Sequence, residues 1–212
     1  MPKAPLGNLT SRETRRIQRI CFGLFARHGY DRTSMKMITG ALKAADGYLY
    51  YYFAGKEDLV RWLIDVGTAK WFADFQKVVI DNPPSDVYAL FKATLFQTVH
   101  FIRHNRDMYG TYFKFITTPT FPLLGYLAER ISELDSNYGE QIKAGIAQKR
   151  FRKDLCPDTA AILFDGVAVR IHEFVFNPVL DPLGVAKMND EGLEELVETF
   201  VSIFDRGIAA LP

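Results

Sequence analysis

Apolar residues recur at helical spacing through most of the chain, and this periodicity constrains the fold more than any other feature of the sequence. Near the N-terminus, Ile17, Cys21 and Phe25 share one face of a 3.6-residue repeat, with Ile20 and Leu24 beside them. Near the C-terminus the stripe is longer and comprises Leu193, Leu196, Val197, Phe200, Val201, Phe204 and Ile208. No segment shows the apolar–polar alternation of a half-buried strand. The sequence therefore predicts an all-α fold.

Capping residues, glycines and prolines divide the chain into about nine predicted helices. The first begins at residue 10 or 11 and ends near Gly29. Thr33 and Ser34 offer an N-cap for a short second helix, and a long helix begins at Lys56 and ends before the paired prolines of residues 81–86. Beyond that break the sequence predicts helices over 85–104, 107–117, 120–148, 157–176 and 189–208.

The composition favours a globular protein with one basic end. Of the 212 residues, 48% are hydrophobic, enough to bury a core, and no apolar run is long enough to span a bilayer. Residues 1–62 contain 11 Lys or Arg and 5 Asp or Glu, a net charge of +6, whereas residues 63–212 contain 15 and 20, a net charge of −5. This asymmetry favours contact with a polyanion, although a solvated surface would explain the same charge. With no apolar leader and two distant cysteines, Cys21 and Cys156, we expect a cytoplasmic protein with reduced thiols.

Residues 47–59, GYLYYYFAGKEDL, place four tyrosines and a phenylalanine in seven consecutive positions. In an all-α setting, this stretch and the short helix before it predict a helix–turn–helix unit packed on the first helix. Leu49 and Phe53 would face inward, Tyr48, Tyr51 and Tyr52 would face outward, and Tyr50 would lie between the two faces. Phenol hydroxyls can bond phosphate oxygens and rings can touch base edges. Residues 47–53 are therefore predicted to be a recognition helix for the DNA major groove.

Residues 16–59 as a whole resemble the N-terminal signature of TetR-family transcriptional regulators. The matching residues are Ile17, Leu24, Phe25, Gly29, Tyr30, Thr33, Ser34, Ile38, Ala41, Gly47, Leu49, Tyr50, Tyr51, Phe53, Lys56, Glu57 and Leu59. The resemblance implies a homodimeric all-α repressor with an N-terminal helix–turn–helix DNA-binding domain, residues 1–56, and a helical ligand-binding and dimerisation domain, residues 57–212. It also implies a double-stranded DNA operator and a small-molecule effector, which we expect to be largely apolar.

The sequence departs from the family pattern where the two short helices join. Lys43, Ala44 and Ala45 stand where Gly-Val-Ser is usual, so the serine cap of the recognition helix is missing and Asp46 is the candidate replacement. We expect this departure from the family pattern to affect which operator sequence is bound. The residues predicted to contact DNA are Thr33, Ser34, Lys36, Asp46, Gly47, Tyr48, Tyr50, Tyr51, Tyr52 and Lys56. Their alternative roles are capping, packing and ordinary solvation.

Ten aromatic residues lie between positions 88 and 126. Aromatic residues at helical spacing usually fill a core. Here Pro119 and Pro122 interrupt the helices, so the rings could also wall an apolar cavity. The residues predicted to bind an effector are Phe96, His100, Tyr109, Tyr112, Phe113, Phe121, His172 and Phe176.

The sequence offers little support for a metal site or for catalysis. His100, His104 and Asp107 have a spacing found in metal sites, but a helix C-terminus also favours histidines, and Arg103 and Arg106 would repel a cation. No glycine-rich phosphate loop, HExxH or GxSxG sequence is present, so neither an enzyme nor a cofactor is predicted. The main alternative to a regulator is a helical small-molecule-binding or scaffold protein that has lost operator recognition.

The two C-terminal helices carry the prediction for assembly. A palindromic operator requires a twofold dimer. In the resembled family these two helices meet their symmetry mates in a four-helix bundle. The predicted interface residues are Leu163, Val167, Ile171, Leu196, Phe200 and Phe204. The alternative is that both apolar stripes pack only inside their own subunit.

Overall fold

The computed structural model describes residues 9–75, 85–132 and 138–208, and every element of regular secondary structure within those stretches is helical. The α-helices are α1 (Ser11–Arg32), α2 (Met35–Ala41), α3 (Lys56–Phe75), α4 (Val87–His104), α5 (Arg106–Ile116), α6 (Leu124–Ser132), α7 (Tyr138–Ala147), α8 (Pro157–Phe176) and α9 (Asp190–Ile208). The predicted all-α fold is confirmed. None of these helices, over its described residues, is both long enough and apolar enough to cross a membrane.

The single helix predicted over 120–148 is wrong in extent, because the structure has two helices there. Tight turns precede the first of them: the Phe121 N–H donates to Thr118 O at 3.0 Å and the Leu124 N–H donates to Phe121 O at 3.1 Å. Pro122 lies inside these turns and has no N–H to continue a helix, so α6 begins only at Leu124. Residues 133–137, between α6 and α7, lie outside the described stretches.

The ends of α1 are set by local signals that the sequence contains. Thr10 and Glu13 form a capping box, in which the Glu13 N–H donates to Thr10 Oγ1 at 3.3 Å and the Thr10 N–H donates to Glu13 Oε2 at 2.9 Å. At Gly29 the backbone takes a φ of 73°, a value that glycine adopts without steric cost, and the helical geometry is interrupted there. Both predicted ends therefore match local features of the structure.

The second helix, α2, is capped at both ends. As predicted, Ser34 Oγ accepts a hydrogen bond from the Met37 N–H, at 3.1 Å. At the other end the Lys43 N–H donates to Gly40 O at 3.0 Å and the Ala44 N–H donates to Thr39 O at 3.1 Å, which is the Schellman arrangement. Lys43 consequently has a φ of 49°, in the left-handed region where glycine is the usual residue.

Replacing Lys43 with glycine is expected to raise the free energy of unfolding by roughly 0.5–1 kcal/mol. The left-handed conformation strains an L-residue by about 1–2 kcal/mol, and the backbone entropy that glycine loses on folding offsets only part of the relief. Urea denaturation followed by circular dichroism measures the change. Lys36→Gly, at an exposed position in the first turn of the same helix, is the control and should lose up to about 1 kcal/mol. Equal losses in the two variants would contradict the left-handed geometry at Lys43.

Contacts divide the chain into two units, and the first comprises Met1–Phe72 and Asn105–Leu134. The apolar faces of α1, α2, α3 and α5 form its core. Phe25 of α1 packs edge-on against Phe115 of α5, with 5.5 Å between ring centroids, and both rings are almost fully buried. Burying a side chain of this size contributes roughly 1.5–3 kcal/mol. Other members with little or no exposure are Ile17, Cys21, Ile38, Leu49, Phe53, Leu59 and Leu63.

The second unit comprises Ala73–His104 and Asp135–Pro212, and its helices are α4, α7, α8 and α9. Aromatic rings join these helices. The Phe164 ring of α8 lies 5.3 Å from Phe91 of α4, 5.5 Å from Tyr138 of α7 and 4.3 Å from Phe204 of α9, between centroids. The segment before α9 is held by Arg103 of α4, whose guanidinium donates to two of its carbonyl oxygens at 2.6 and 3.2 Å.

The predicted domain boundary between residues 56 and 57 differs from the division into units. Residues 105–134 join the N-terminal part of the chain because α5 packs along α1, and most of α3 lies in the same unit. The boundary between a DNA-binding and a regulatory domain concerns function, and it stays a prediction.

Candidate nucleic-acid interface

The segment predicted as a recognition helix forms a short helical turn, which we call the recognition turn (residues 47–53). It contains a 3₁₀ turn at Leu49–Tyr51 and continues with a hydrogen bond from the Phe53 N–H to Leu49 O at 2.9 Å. Leu49 and Phe53 are buried, at 0% and 2% exposure, as predicted. No side chain caps the start of the 3₁₀ turn, so the capping role considered for Asp46 is not realised. A capping side chain stabilises the first turn of a helix, and the segment that has no such cap here forms only a short helical turn.

Four tyrosines extend from the recognition turn. Tyr50 and Tyr51 are 54% and 60% exposed, so Tyr50 lies on the outer face and not between the two faces, while Tyr48 and Tyr52 are half-buried. The Tyr52 ring lies edge-on to Tyr48 and Tyr51, with centroids 5.6 and 5.1 Å away. Burial raises the pKa of Tyr48, so its hydroxyl remains a donor at neutral pH. Rings that already support one another lose little entropy on binding and suit phosphate oxygens and base edges.

Arg16 of α1 supports the chain just before the recognition turn. Its guanidinium donates to Leu42 O, a carbonyl at the end of α2, at 2.7 Å. It also lies close enough to Tyr48 to affect the pKa of that phenol. In the sequence, Arg16 lies outside the apolar face of the first helix, and nothing else in the pattern singles it out. No local pattern indicates a hydrogen bond between residues 26 positions apart.

Two of the predicted DNA-contacting residues are lysines at the borders of this site. Lys36 is exposed on α2. Lys56 stands at the start of α3, where its ammonium donates to Tyr30 O at 3.0 Å and lies 4.0 Å from the Tyr30 ring centroid. An ammonium has three N–H donors, so this anchored group keeps donors for a phosphate.

The remaining predicted contacts differ in what their side chains do. Thr33 is fully buried and its hydroxyl donates to Gly29 O at 2.7 Å, so it supports the backbone at the end of α1. Ser34 is exposed, but its hydroxyl caps α2. Asp46 and Gly47 are both exposed beside the recognition turn. Which of these residues contact DNA stays a prediction.

Four of the predicted effector-binding residues lie in the first unit. Tyr112 donates its hydroxyl to a carbonyl oxygen of α3 at 2.8 Å. Phe121 is 4% exposed and stacks on Phe115, with 4.3 Å between centroids. Tyr109 and Phe113 are half-buried and stack with each other at 6.3 Å. Tyr112 and Phe121 therefore have packing roles in this core, whether or not they also meet a ligand.

The other four, Phe96, His100, His172 and Phe176, lie in the second unit and are half-buried. Burial lowers the pKa of His172 to about 3, which keeps its imidazole neutral. His100 Nε2 lies 3.4 Å from Asp190 Oδ1. No group of three His, Cys, Asp or Glu side chains in the described stretches is arranged to hold a metal ion. Effector binding by these residues stays a prediction.

Apolar side chains are exposed along the two C-terminal helices. They are Ile162, Leu163 and Val169 on α8, at 67%, 52% and 54% exposure, and Ile203 on α9, at 60%. We call these four residues the α8–α9 surface. Three of them are absent from the predicted interface residues, because the helical period alone does not say which side of a stripe faces the core.

The residues predicted for the dimer interface divide into exposed and inward-facing groups. Leu163 belongs to the α8–α9 surface, and Val167, Leu196 and Phe200 are half-buried. Ile171 is 1% exposed and Phe204 packs on Phe164, so both face the core of their own subunit. The side chain of Ile208, in the predicted C-terminal stripe, lies outside the described residues.

A family model and solved structures identify the relatives of this chain. Residues 22–63 match the model for bacterial regulatory proteins of the tetR family. This segment runs from within α1 into α3 and contains α2 and the recognition turn. No curated protein matches the chain significantly.

Solved structures with the same fold cover nearly the whole chain. A TetR family transcriptional regulator from Chloroflexus aurantiacus J-10-FL superposes with a TM-score of 0.76 at 22% identity, over 97% of each chain. The ketosteroid transcriptional regulator KstR2 of Mycobacterium tuberculosis gives a TM-score of 0.68 at 19% identity, over 97% of this chain and 98% of its own. AibR, solved with isovaleryl coenzyme A and operator DNA, gives a TM-score of 0.63 at 17% identity, over 89% of this chain and 96% of its own.

The sequence match and the structural similarity are complementary. The match covers the helix–turn–helix segment, in which buried Leu49 and Phe53 support exposed Tyr50 and Tyr51. The structural similarity extends the shared fold over the rest of the chain. Residues 22–63 thus match the tetR family model, and nearly the whole chain shares the fold of solved TetR-family transcriptional regulators.

Proposed function

We propose that the protein is a ligand-responsive repressor that acts in the cytoplasm as a homodimer on a palindromic operator and is released by a small, largely apolar molecule. The observation that carries this proposal is the recognition turn. Tyr50 and Tyr51 are exposed over buried Leu49 and Phe53, and Arg16 holds the end of the helix before them. Exposed phenols do little for the stability of a core, but they fit phosphates and base edges.

Selection from a randomised library of DNA duplexes tests whether the protein recognises a specific sequence. The full-length protein is expected to enrich a palindrome whose half-sites are separated by one helical turn, roughly 34–36 Å, or by a multiple of it. If the folded protein enriches no sequence, the proposal fails and the alternative of a small-molecule-binding protein without operator recognition gains support.

Tyr51→Ala is expected to weaken binding to the selected operator by roughly 5- to 150-fold, the range of one specific contact. Tyr51→Phe separates the two possible contacts, because it removes a phosphate contact made by the hydroxyl and keeps a ring contact to a thymine methyl. Fluorescence anisotropy with a labelled operator gives both affinities. Ile116→Ala, at a 45% exposed apolar position of α5, is the control and should bind normally. Wild-type affinity in Tyr51→Ala would place the recognition surface elsewhere.

The packing of α5 on α1 supports a route by which an effector acts on the DNA-binding residues. Thr111 donates its hydroxyl to Phe22 O at 3.0 Å, and Lys114 donates to Arg27 O at 2.7 Å. A displacement of α5 would therefore displace α1, and with it Arg16, which holds the chain before the recognition turn. An effector that favours such a state lowers operator affinity by the ratio of its affinities for the two states.

Hydrophobic acyl thioesters, fatty acids and steroids are the effectors to test first. KstR2 is named a ketosteroid regulator and AibR was solved with isovaleryl coenzyme A. Thermal shift identifies binders in such a panel, and anisotropy then measures operator release. Linkage requires that operator DNA weaken binding of the same compound by the same factor. A compound that raises the melting temperature but leaves operator affinity unchanged is a ligand without a regulatory role.

A further inference from the structure

We propose that Arg12, Arg15 and Arg19, which we call the α1 arginine row, form a second phosphate-binding surface that extends the DNA contact beyond the recognition turn. The inference rests on the proposed DNA-binding function and adds residues outside the helix–turn–helix to it. The three side chains lie on one face of α1 and are all exposed. Together with Arg16 and Glu13 they line one open cleft.

The charge of the α1 arginine row is not neutralised by its neighbours. None of its three guanidinium groups is within ion-pair distance of a carboxylate in the described part of the chain, whereas Arg103 and Arg150 in the second unit lie 3.5 and 3.4 Å from one. The nearby Glu13 carboxylate accepts from the Thr10 hydroxyl at 2.7 Å and the Thr10 N–H at 2.9 Å. These hydrogen bonds hold the pKa of Glu13 below its usual value, and they tie its charge to the helix cap.

The sequence before α1 adds to this positive charge. Residues 1–10 contain no Asp or Glu and contribute one further cation, Lys3. A surface built for solvation usually mixes charges of both signs, because like charges repel one another. A run of cations with a single, internally engaged carboxylate fits a polyanion better than it fits water alone.

The α1 arginine row is continuous with the recognition turn. Arg16, on the same face of α1, donates to Leu42 O at 2.7 Å, immediately before the turn that leads to the tyrosines. Glu13 and Arg16 both act electrostatically on the Tyr48 hydroxyl, so the start of α1 and the first recognition tyrosine are neighbours. All of these residues belong to the first unit. DNA bound at the tyrosines therefore has its backbone near the row.

The spacing of the row suits the DNA backbone. Seven residues separate Arg12 from Arg19, which is about 10 Å along the helix axis. One DNA strand carries a phosphate about every 3.4 Å of duplex axis, and successive phosphates are farther apart than this because the strand winds, so the row can contact two or three phosphates. Guanidinium groups bind phosphate oxygens bidentately. An acidic protein partner has no such regular array of charge, so we assign the row to DNA.

The triple variant Arg12→Gln, Arg15→Gln, Arg19→Gln tests this assignment, with Arg16 kept because it supports the fold. Its affinity for the selected operator is measured by anisotropy as a function of salt. Each lost phosphate contact lowers the magnitude of the negative slope of log K against log salt by about 0.9. We therefore expect this magnitude to fall by about 2–3 per subunit and the affinity to fall at least about tenfold near physiological salt. In an ethylation-interference experiment, the triple variant should lose some of the phosphate positions at which ethylation blocks binding of the wild-type protein.

The control is a second triple variant, Arg152→Gln, Lys153→Gln, Arg206→Gln, which removes the same charge from exposed positions of the second unit. Circular dichroism and thermal unfolding establish that both variants fold. The control should keep the wild-type slope and ethylation pattern. An equal loss in the control would show an effect of net charge alone and would overturn the proposed surface.

The outcomes separate this proposal from the function on which it rests. If wild-type protein selects no operator, the proposed function fails and the arginine surface fails with it. If wild type binds, Tyr51→Ala weakens binding and the α1 triple variant keeps the wild-type slope and ethylation pattern, the DNA-binding function stands and the arginine surface is overturned. An acidic protein would then be the next partner to test.

Discussion

Leu163→Arg is expected to convert the proposed dimer into a monomer that remains helical and binds the selected operator at least about 100-fold more weakly. Leu163 lies in the α8–α9 surface, where four apolar side chains are exposed between 52% and 67%. The rings of Phe164 and Phe204, the chain neighbours of Leu163 and Ile203, pack on each other with centroids 4.3 Å apart. Exposed apolar residues on packed helices mark interaction surfaces when they form a patch. In a twofold interface each substitution occurs twice, so two arginines would enter the same apolar contact. A monomer reads only one half-site, which removes the second set of DNA contacts.

Analytical ultracentrifugation at micromolar concentration measures the assembly state, and anisotropy measures operator binding. Ala144→Arg adds the same charge at an exposed position of α7 and is expected to leave the dimer and the operator affinity unchanged. Circular dichroism tests whether Leu163→Arg remains folded. If Leu163→Arg sediments as a dimer, the α8–α9 surface is not the dimer interface. If wild-type protein is a monomer, the proposed mode of operator binding also fails.

Gly67→Ala is expected to lower the free energy of unfolding by roughly 2–4 kcal/mol. A Cβ at this position of α3 would stand 1.7 Å from the Tyr112 hydroxyl oxygen and 2.5 Å from ring atom Cζ, so the ring must move. Tyr112 has little freedom to do so, because its hydroxyl donates to Leu63 O at 2.8 Å and its ring packs edge-on against Phe22 at 6.1 Å. Moving the ring breaks this hydrogen bond and disturbs the contact between α5 and α3.

Urea denaturation monitored by circular dichroism measures this loss. Gly40→Ala is the matched control: Gly40 lies in α2, an added Cβ there would meet no atom within 4 Å, and alanine stabilises an exposed helix by about 1 kcal/mol relative to glycine. Adding Tyr112→Leu to Gly67→Ala should restore part of the stability, since the clashing hydroxyl and ring are removed. If Gly67→Ala is as stable as Gly40→Ala, α3 and α5 do not approach each other as closely as described.

Features that depend on neighbouring residues can be predicted from the sequence. The capping box of Thr10 and Glu13 and the cap from Ser34 use residues three positions apart, so they can be recognised before any fold is known. The same is true of the inward faces of Leu49 and Phe53, which follow from the helical period. The order of these short-range signals also carries the family resemblance, and the family match over residues 22–63 confirmed it.

Features that join distant parts of the chain become visible only in the folded structure. The hydrogen bond from Arg16 to Leu42 spans 26 residues, and that from Tyr112 to Leu63 spans 49. Residues 105–134 belong to the N-terminal unit because α5 packs along α1. Ile171 and Phe204 turned inward while Ile162 and Ile203 stayed exposed, although all four are apolar residues in helical stripes. A period of 3.6 residues specifies which side chains share a face, but which face is covered depends on the shapes of the helices that pack against it.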